Sequence, residues 1–239
     1  MNFPPLTVVI PAAGIGKRMQ ANTAKQYLPL QNKSIIEHTI ERFTGISFVE
    51  TILVVLSEQD EKFVTLPIAQ HNKVKTVIGG KERADSVLNG LRNAQHLTEW
   101  VMVHDAARPC VNEKDIINLY QHCIEKKSAG ILASPVRDTM KRGNEVLQKV
   151  ELDSVKTHTV DRNNLWHGLT PQCALISKLI SALELQLNEN NLVNSQVTDE
   201  ASALELAGEN VLLVQGSVKN IKITMPEDLE LAEFYLNKT

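Results

Sequence analysis

The sequence predicts an α/β fold: a doubly wound, mostly parallel sheet with a protruding antiparallel β-arm. Apolar runs of strand length alternate with segments of helical periodicity from Leu6 onward. Several of those runs end in glycine-bearing or charged loops, where an open parallel sheet places its ligands. One polar stretch, 136–160, breaks the alternation.

Taken in order, Leu6–Ile10 (LTVVI) is a run of β-branched residues suited to a buried strand. Ser34–Phe43 follows as a helix, with Ile35, Ile36, Thr39, Ile40 and Phe43 on one face. Glu50–Leu56 and Val74–Ile78 are the next strands, the latter running into Gly79-Gly80, and Arg83–Ala94 is helical. Trp100–His104 is a buried strand that ends at Asp105, Lys114–Ile124 a helix and Gly130–Pro135 a strand. Within 136–160 two short polar strands joined around Gly143-Asn144 form an antiparallel excursion. Two strands alone are marginal, so the arm calls for a surface to pack on, most simply a second copy of the chain. Leu175–Leu187 and Thr198–Ala207 are predicted helices, the second ending before Gly208. Val211–Gln215 and Val218–Ile223 are predicted strands. Thr224-Met-Pro-Glu227 reads as a capping box that starts a last helix to about Asn237. With no repeats or linkers, the economical organisation is one domain over 1–239, with 136–160 as the arm.

The formal net charge is −3, so the chain as a whole has no electrostatic pull toward nucleic acid or an anionic membrane. An anionic ligand must be held by local cations. Three cysteines, Cys110, Cys123 and Cys173, lie far apart with no CxxC pair, which fits neither a disulfide framework nor a zinc site. The absence of a basic-then-apolar leader or a bilayer-length apolar run adds to the expectation of a cytoplasmic protein.

Three loops carry the chemistry. Pro11-Ala-Ala-Gly-Ile-Gly-Lys-Arg18 follows the first strand, and Ala12, Ala13, Gly14 and Gly16 let backbone amides approach an anion. A glycine pair by itself serves an ordinary β-to-α turn. Lys17, Arg18 and, seven residues on, Lys25 make this loop suit a polyphosphate. It is not a P-loop, since Arg18 follows Lys17, and Met19 stands where a dinucleotide fingerprint needs Gly or Ala. In Gly79-Gly80-Lys-Glu-Arg-Ala-Asp-Ser86 the glycines make the turn, and with Ser86 could also hold a base and its ribose. In His104-Asp-Ala-Ala-Arg-Pro109 the Asp105 carboxylate is a natural Mg²⁺ ligand beside a triphosphate, while Arg108 could pair with it. His38, His71, His96, His122, His158 and His167 form no metal-ligand spacing, and no G-x-S-x-G elbow exists.

These blocks, with PVRDTMKR, HTVDRNNLWHGLTPQ, TDEASALE and NIKITMPEDLELAEFYL, closely resemble the 2-C-methyl-D-erythritol 4-phosphate cytidylyltransferases, in order from about residue 7 to 236. The resemblance implies a Rossmann-like nucleotidyltransferase fold and a homodimer joined through the arm. It implies a reaction in which CTP and methylerythritol phosphate give the CDP-alcohol and pyrophosphate with Mg²⁺. By position, Pro11, Ala12, Ala13, Gly14 and Gly16 match the triphosphate segment, and Arg18 and Lys25 the residues that stabilise the transition state. Gly80, Ser86, Asp105 and Ala106 match cytidine and ribose contacts, with Asp105 also at the metal position. Asp105, Arg108, Thr139, Arg162, Thr170, Thr198 and Lys222 match the surroundings of the alcohol phosphate, which Arg162 and Lys222 would orient. Lys81 and Lys219 depart from the pattern, each standing where an acidic residue is expected. The rivals are a ribitol 5-phosphate cytidylyltransferase, which should differ within H-D-A-A-R-P, and a non-catalytic nucleotide-binding subunit.

Overall fold

The computed structural model describes residues 3–14, 24–143, 156–187 and 197–238. In chain order the elements are β1 (Leu6–Pro11), the two-residue strands β2 (Pro29–Leu30) and β3 (Lys33–Ser34), α1 (Ile35–Thr44), β4 (Val49–Leu56), β5 (Val74–Ile78), α2 (Arg83–Ala94) and β6 (Trp100–Val103). There follow α3 (Glu113–Lys126), β7 (Ala129–Pro135), β8 (Met140–Gly143), β9 (Thr157–Val160), β10 (Trp166–Leu175), α4 (Ile176–Glu184), α5 (Glu200–Leu206), β11 (Val211–Gln215) and α6 (Glu227–Leu236).

Seven strands make one sheet in the order β11-β7-β10-β6-β1-β4-β5. All neighbours are parallel except β10, which is antiparallel to both β6 and β7. Because side chains alternate along a strand, Leu6, Val8 and Ile10 join a core with α1 and α3 on one face, while Val9 joins α2, α4 and α5 on the other. The chain runs from β1 outward to β4 and β5, then returns to place β6 on the other side of β1. That reversal puts a crevice at the carboxyl ends of β1 and β6. Helix α2 presses close on the sheet, and a Cβ on Gly90 would meet Val9 at 2.7 Å and Val55 at 2.9 Å.

Strand β10 has no counterpart in the sequence reading. Its register shifts between Gly168 and Gln172, around Pro171, which hides it because proline inside a central strand requires such an irregularity. The predicted strand over Val218–Ile223 is absent. Its amides bond locally and to the loop after β6, with Asn220 N–H to Ser217 O at 3.1 Å and Ile223 N–H to Ala107 O at 2.9 Å. Ile221 and Ile223 pack instead with α6. The box before α6 also differs from expectation. Asp228, not Glu227, accepts the Thr224 and Met225 amides, at 2.7 and 2.8 Å.

The arm pairs β8 with β9 antiparallel, from Met140↔Val160 to Gly143↔Thr157. Gly143 is therefore a strand residue rather than part of the turn, and Asn144 lies outside the described residues. Among the described residues no helix is long and apolar enough to cross a membrane.

Candidate active site

A cleft of about 490 Å³ opens at the crevice, lined by Pro11–Gly14, Lys25, Gln26, the 80–83 turn, Ser86, Asp105–Ala107 and Lys222. Its first wall is the end of β1. The Ala12 amide bonds to Val55 O at 2.8 Å and the Ala12 carbonyl accepts from the buried Gln26 amide at 2.6 Å. Lys25 donates to Ile223 O at 3.1 Å, tying the same turn to the segment that carries Lys222. The second wall is the Gly79-Gly80 turn, where the Gly80 amide donates to Ser86 Oγ at 3.0 Å. A Cβ on Gly80 would lie 2.5 Å from Asp85 Cβ, so only glycine lets the turn fold onto α2.

The floor is the loop after β6. Thr39 of α1 donates to Ala106 O at 3.0 Å and Arg42 to Pro109 O at 2.8 Å, pinning the loop from below. Within it Asp105 is 7% exposed, yet three cations meet its carboxylate. Arg83 lies 3.2 Å from Oδ1, and Lys222 Nζ and Arg108 Nε lie 2.9 and 3.3 Å from Oδ2. Burial pushes the carboxyl pKa up, but Arg83, Lys222 and Arg108 outweigh it and hold the group well below the usual carboxylate range. Behind it His104 is fully buried, with its ring nitrogens 3.0 Å from Thr170 Oγ1 and 3.1 Å from Arg108 O. Burial pushes the His104 pKa down to about 4, against the hydrogen bond to Arg108 O and the nearby Asp105 charge. The neutral ring then donates from Nε2 to Arg108 O and accepts the Thr170 hydroxyl at Nδ1. The Thr170 oxygen remains free to accept the Asp105 amide at 3.1 Å.

A second cleft of about 470 Å³ adjoins the first through Lys222 and is lined by Arg108, Ser134–Pro135, Arg137–Asp138, His167–Leu169 and Asn220. Lys222, 37% exposed in its side chain, faces both.

Of the residues the sequence marked, Pro11, Ala12, Ala13, Gly14, Lys25, Gly80, Ser86, Asp105, Ala106 and Lys222 line the first cleft, and Arg108 the second. Gly16 and Arg18 lie outside the described residues. Thr170 is buried under Asp105 and lines neither cleft. Thr139 and Arg162 are exposed at the base of the arm, where Arg162 donates to Arg137 O. Thr198 is exposed just before α5, its amide bonded to Ser202 Oγ. The sequence reading passed over Gln26, Arg83 and Glu200. Arg83 and Glu200 stand within the quoted motifs but read there as ordinary charges in the first turn of a helix.

The loop after β1 at this crevice carries no dinucleotide fingerprint, since Met19 stands where one needs Gly or Ala. The sequence model of 2-C-methyl-D-erythritol 4-phosphate cytidylyltransferase matches residues 6–238. The chain belongs to that family. It is 50% identical over 235 residues to the 2-C-methyl-D-erythritol 4-phosphate cytidylyltransferase of Aliivibrio fischeri, covering 98% of this chain and 94% of that one. A crystal structure of a 4-diphosphocytidyl-2C-methyl-D-erythritol synthase superposes with TM-score 0.80 at 31% identity, over 98% of this chain and 99% of that one. The Francisella tularensis cytidylyltransferase superposes with TM-score 0.79 at 36% identity, over 97% and 99%. Membership in the family makes the chain a nucleotidyltransferase with the mostly parallel sheet that the sequence predicts.

Proposed function

We infer that the chain transfers the cytidylyl group of CTP to 2-C-methyl-D-erythritol 4-phosphate, giving 4-diphosphocytidyl-2-C-methyl-D-erythritol and pyrophosphate in non-mevalonate isoprenoid precursor synthesis. The observation that carries this reading is the joining of two clefts at Lys222, one walled by the β1 loop and the Gly80 turn, the other by Arg108 and the base of the arm. A nucleoside triphosphate fits the first and a phosphorylated alcohol the second. A phosphate oxygen of the alcohol attacks the α-phosphorus, and the bond from that phosphorus to the oxygen bridging the β-phosphate breaks. Pyrophosphate leaves with the electron pair. A phosphate dianion is already a nucleophile, so the protein's contribution is position and charge rather than a strong base.

In this reading the amides of Pro11–Gly14 and Gly16 cradle the triphosphate, and Lys25 and Arg18 neutralise charge on the α-phosphate in the transition state. Gly80 and Ser86 meet the base, and Asp105 and Ala106 the ribose. Lys222 and Arg108 hold the alcohol phosphate. Thr170 acts through the Asp105 amide it accepts.

Among the described residues no group of three or more His, Cys, Asp or Glu could cage a metal. One ionised carboxylate is nevertheless enough for Mg²⁺, which completes its shell with phosphate oxygens and water. Asp105 would hold it through the lone pair its carboxylate keeps beside Arg83, Lys222 and Arg108, and the ion when bound would neutralise phosphate charge.

Thr139 and Arg162 sit on the arm and line neither cleft of their own chain. A homodimer in which each arm reaches the other protomer's acceptor cleft accounts for both residues, and for a two-stranded element too small to stand alone. Three buried, unbridged cysteines suit the reducing cytoplasm.

Pyrophosphate release from CTP tests the reading, with methylerythritol phosphate or ribitol 5-phosphate as acceptor and with or without Mg²⁺. Turnover is expected with the first acceptor and to require the ion. Turnover on ribitol phosphate alone, or CTP binding without release from either, would overturn it.

A further inference from the structure

Arg83 opens α2, where a cation opposes the helix dipole. Its position is explained by what it bridges. Its guanidinium forks onto Glu200 of α5, at 2.7 and 3.2 Å, and its remaining edge reaches Asp105 Oδ1 at 3.2 Å. Glu200 is 3% exposed and lines neither cleft, so it is a buried carboxylate whose bonded partner is Arg83. Glu200 is itself held in place, because Asp199 caps α5 and β10 grips the cap. Gln172 donates to Asp199 Oδ2 at 2.9 Å and accepts the Ala201 amide at 2.8 Å. The same strand supplies Thr170 to the Asp105 amide. Two residues of β10 therefore fix the Asp105 backbone and, through α5 and Arg83, one oxygen of its carboxylate.

Three cations, Arg83, Arg108 and Lys222, surround the single carboxylate of Asp105. Glu200 occupies the terminal fork of Arg83, one bond from each of its two Nη atoms. Oδ2 is thereby left to Lys222 and Arg108, which with Arg137 line the acceptor cleft. Without the Glu200 charge, Arg83 can turn its planar fork fully onto Asp105, compete for Oδ2 and release Lys222 from its place between the clefts.

We propose that Arg83 and Glu200 are a pair of positioning residues for the cytidylyl transfer, Glu200 acting through Arg83 and Arg83 through Asp105, so that Lys222 stays aimed at the junction of the two clefts. The proposal rests on the reading of the clefts given above and adds to it Arg83 at the edge of the first cleft and Glu200, which lines neither.

The test is steady-state kinetics and thermal unfolding of Glu200→Gln, Arg83→Met and the double variant beside the parent protein. Misplacement of a reacting group by about an ångström costs up to roughly a hundredfold. Both single variants are accordingly expected to lose about tenfold or more in kcat, with KM for CTP changed by less than about twofold. Arg83→Met leaves Glu200 buried and unpaired, so its melting temperature falls, and adding Glu200→Gln should restore much of that loss. The kcat of the double variant should nevertheless stay as low as that of Arg83→Met, and Arg83→Lys should not rescue it, since an ammonium cannot fork. Recovery of kcat together with melting temperature in the double variant would reduce the pair to a structural role and overturn the proposal. So would folded single variants that keep kcat within about threefold of the parent. Failure of the underlying reading is separately visible, as absence of pyrophosphate release in the parent protein itself.

Discussion

At the end of β6, Asp105 is met by three cations, its amide is accepted by Thr170 and its loop is pinned by Thr39 and Arg42. On the arm, every residue of β8 is exposed, and Arg162 bonds to the backbone of Arg137 beside it. Both regions carry cations that the proposed reaction would use, but only the first is a buried network. A buried side chain held by several charged partners of its own chain has its geometry set before any ligand arrives, the preorganisation that electrostatic catalysis needs. A side chain on an exposed two-stranded arm has no such frame and must obtain it from another surface. The contrast predicts that damage to the cleft is a matter of chemistry within one protomer, and damage to the arm a matter of assembly.

Lys25 gives the largest expected effect. It lines the first cleft and donates to Ile223 O. Lys25→Ala should lower kcat by about a hundredfold or more, as removal of one transition-state donor does, with unfolding little changed. Pyrophosphate release at saturating CTP checks it, and a variant with near-normal kcat would remove Lys25 from the proposed machinery.

The arm comes next. Arg162→Ala should raise KM for the alcohol phosphate and cost about tenfold to a hundredfold in kcat/KM, the loss expected for a charge-assisted contact to phosphate. Mixing this variant with Lys25→Ala sharpens the contrast. If each arm serves the partner's cleft, the mixed dimer has one site with both residues intact, and statistical exchange restores about a quarter of the parent activity. If Arg162 served its own protomer, every site would lack one of the two and mixing would restore nothing.

The same division between regular and irregular backbone decides what the sequence made legible. Runs such as LTVVI and ETILVVL announce β1 and β4, because strands buried on both faces need apolar residues at every position. The cleft loops were legible for a related reason, since close backbone approach demands small residues and a polyanion demands cations. Strand β10 was not legible because Pro171 and Gly168 interrupt it, and its place in the sheet is set by pairing with β6 and β7 rather than by its own composition. The converse error fell on Val218–Ile223, where β-branched residues signal a strand but Ile221 and Ile223 pack with α6. Glu200 and Arg83 were missed because spacing cannot show that two charges more than a hundred residues apart meet. That information exists only in the topology.

The smallest expected effect concerns stability and belongs to the hub alone. His104 is fully buried and neutral, and its pKa is pushed down to about 4 by burial, against about 6.5 in an unfolded chain. A folded-state pKa below the unfolded value means that the unfolded chain binds the proton first. Stability from this group is therefore complete above about pH 6.5 and is lost as pH falls toward 4. Between pH 7 and 5 the loss should be about 2 kcal/mol. Asp105 does not contribute in that window, because its stability is lost only as pH falls below about 3.9, where the unfolded carboxyl begins to take up its proton. Urea unfolding at pH 7, 6 and 5 measures the slope, and His104→Asn should flatten it while lowering stability at pH 7. An unchanged slope in the variant would place the titrating group elsewhere. A flattened slope would identify His104 as the group that takes up its proton on unfolding, its ring being kept neutral in the fold between Thr170 Oγ1 and Arg108 O.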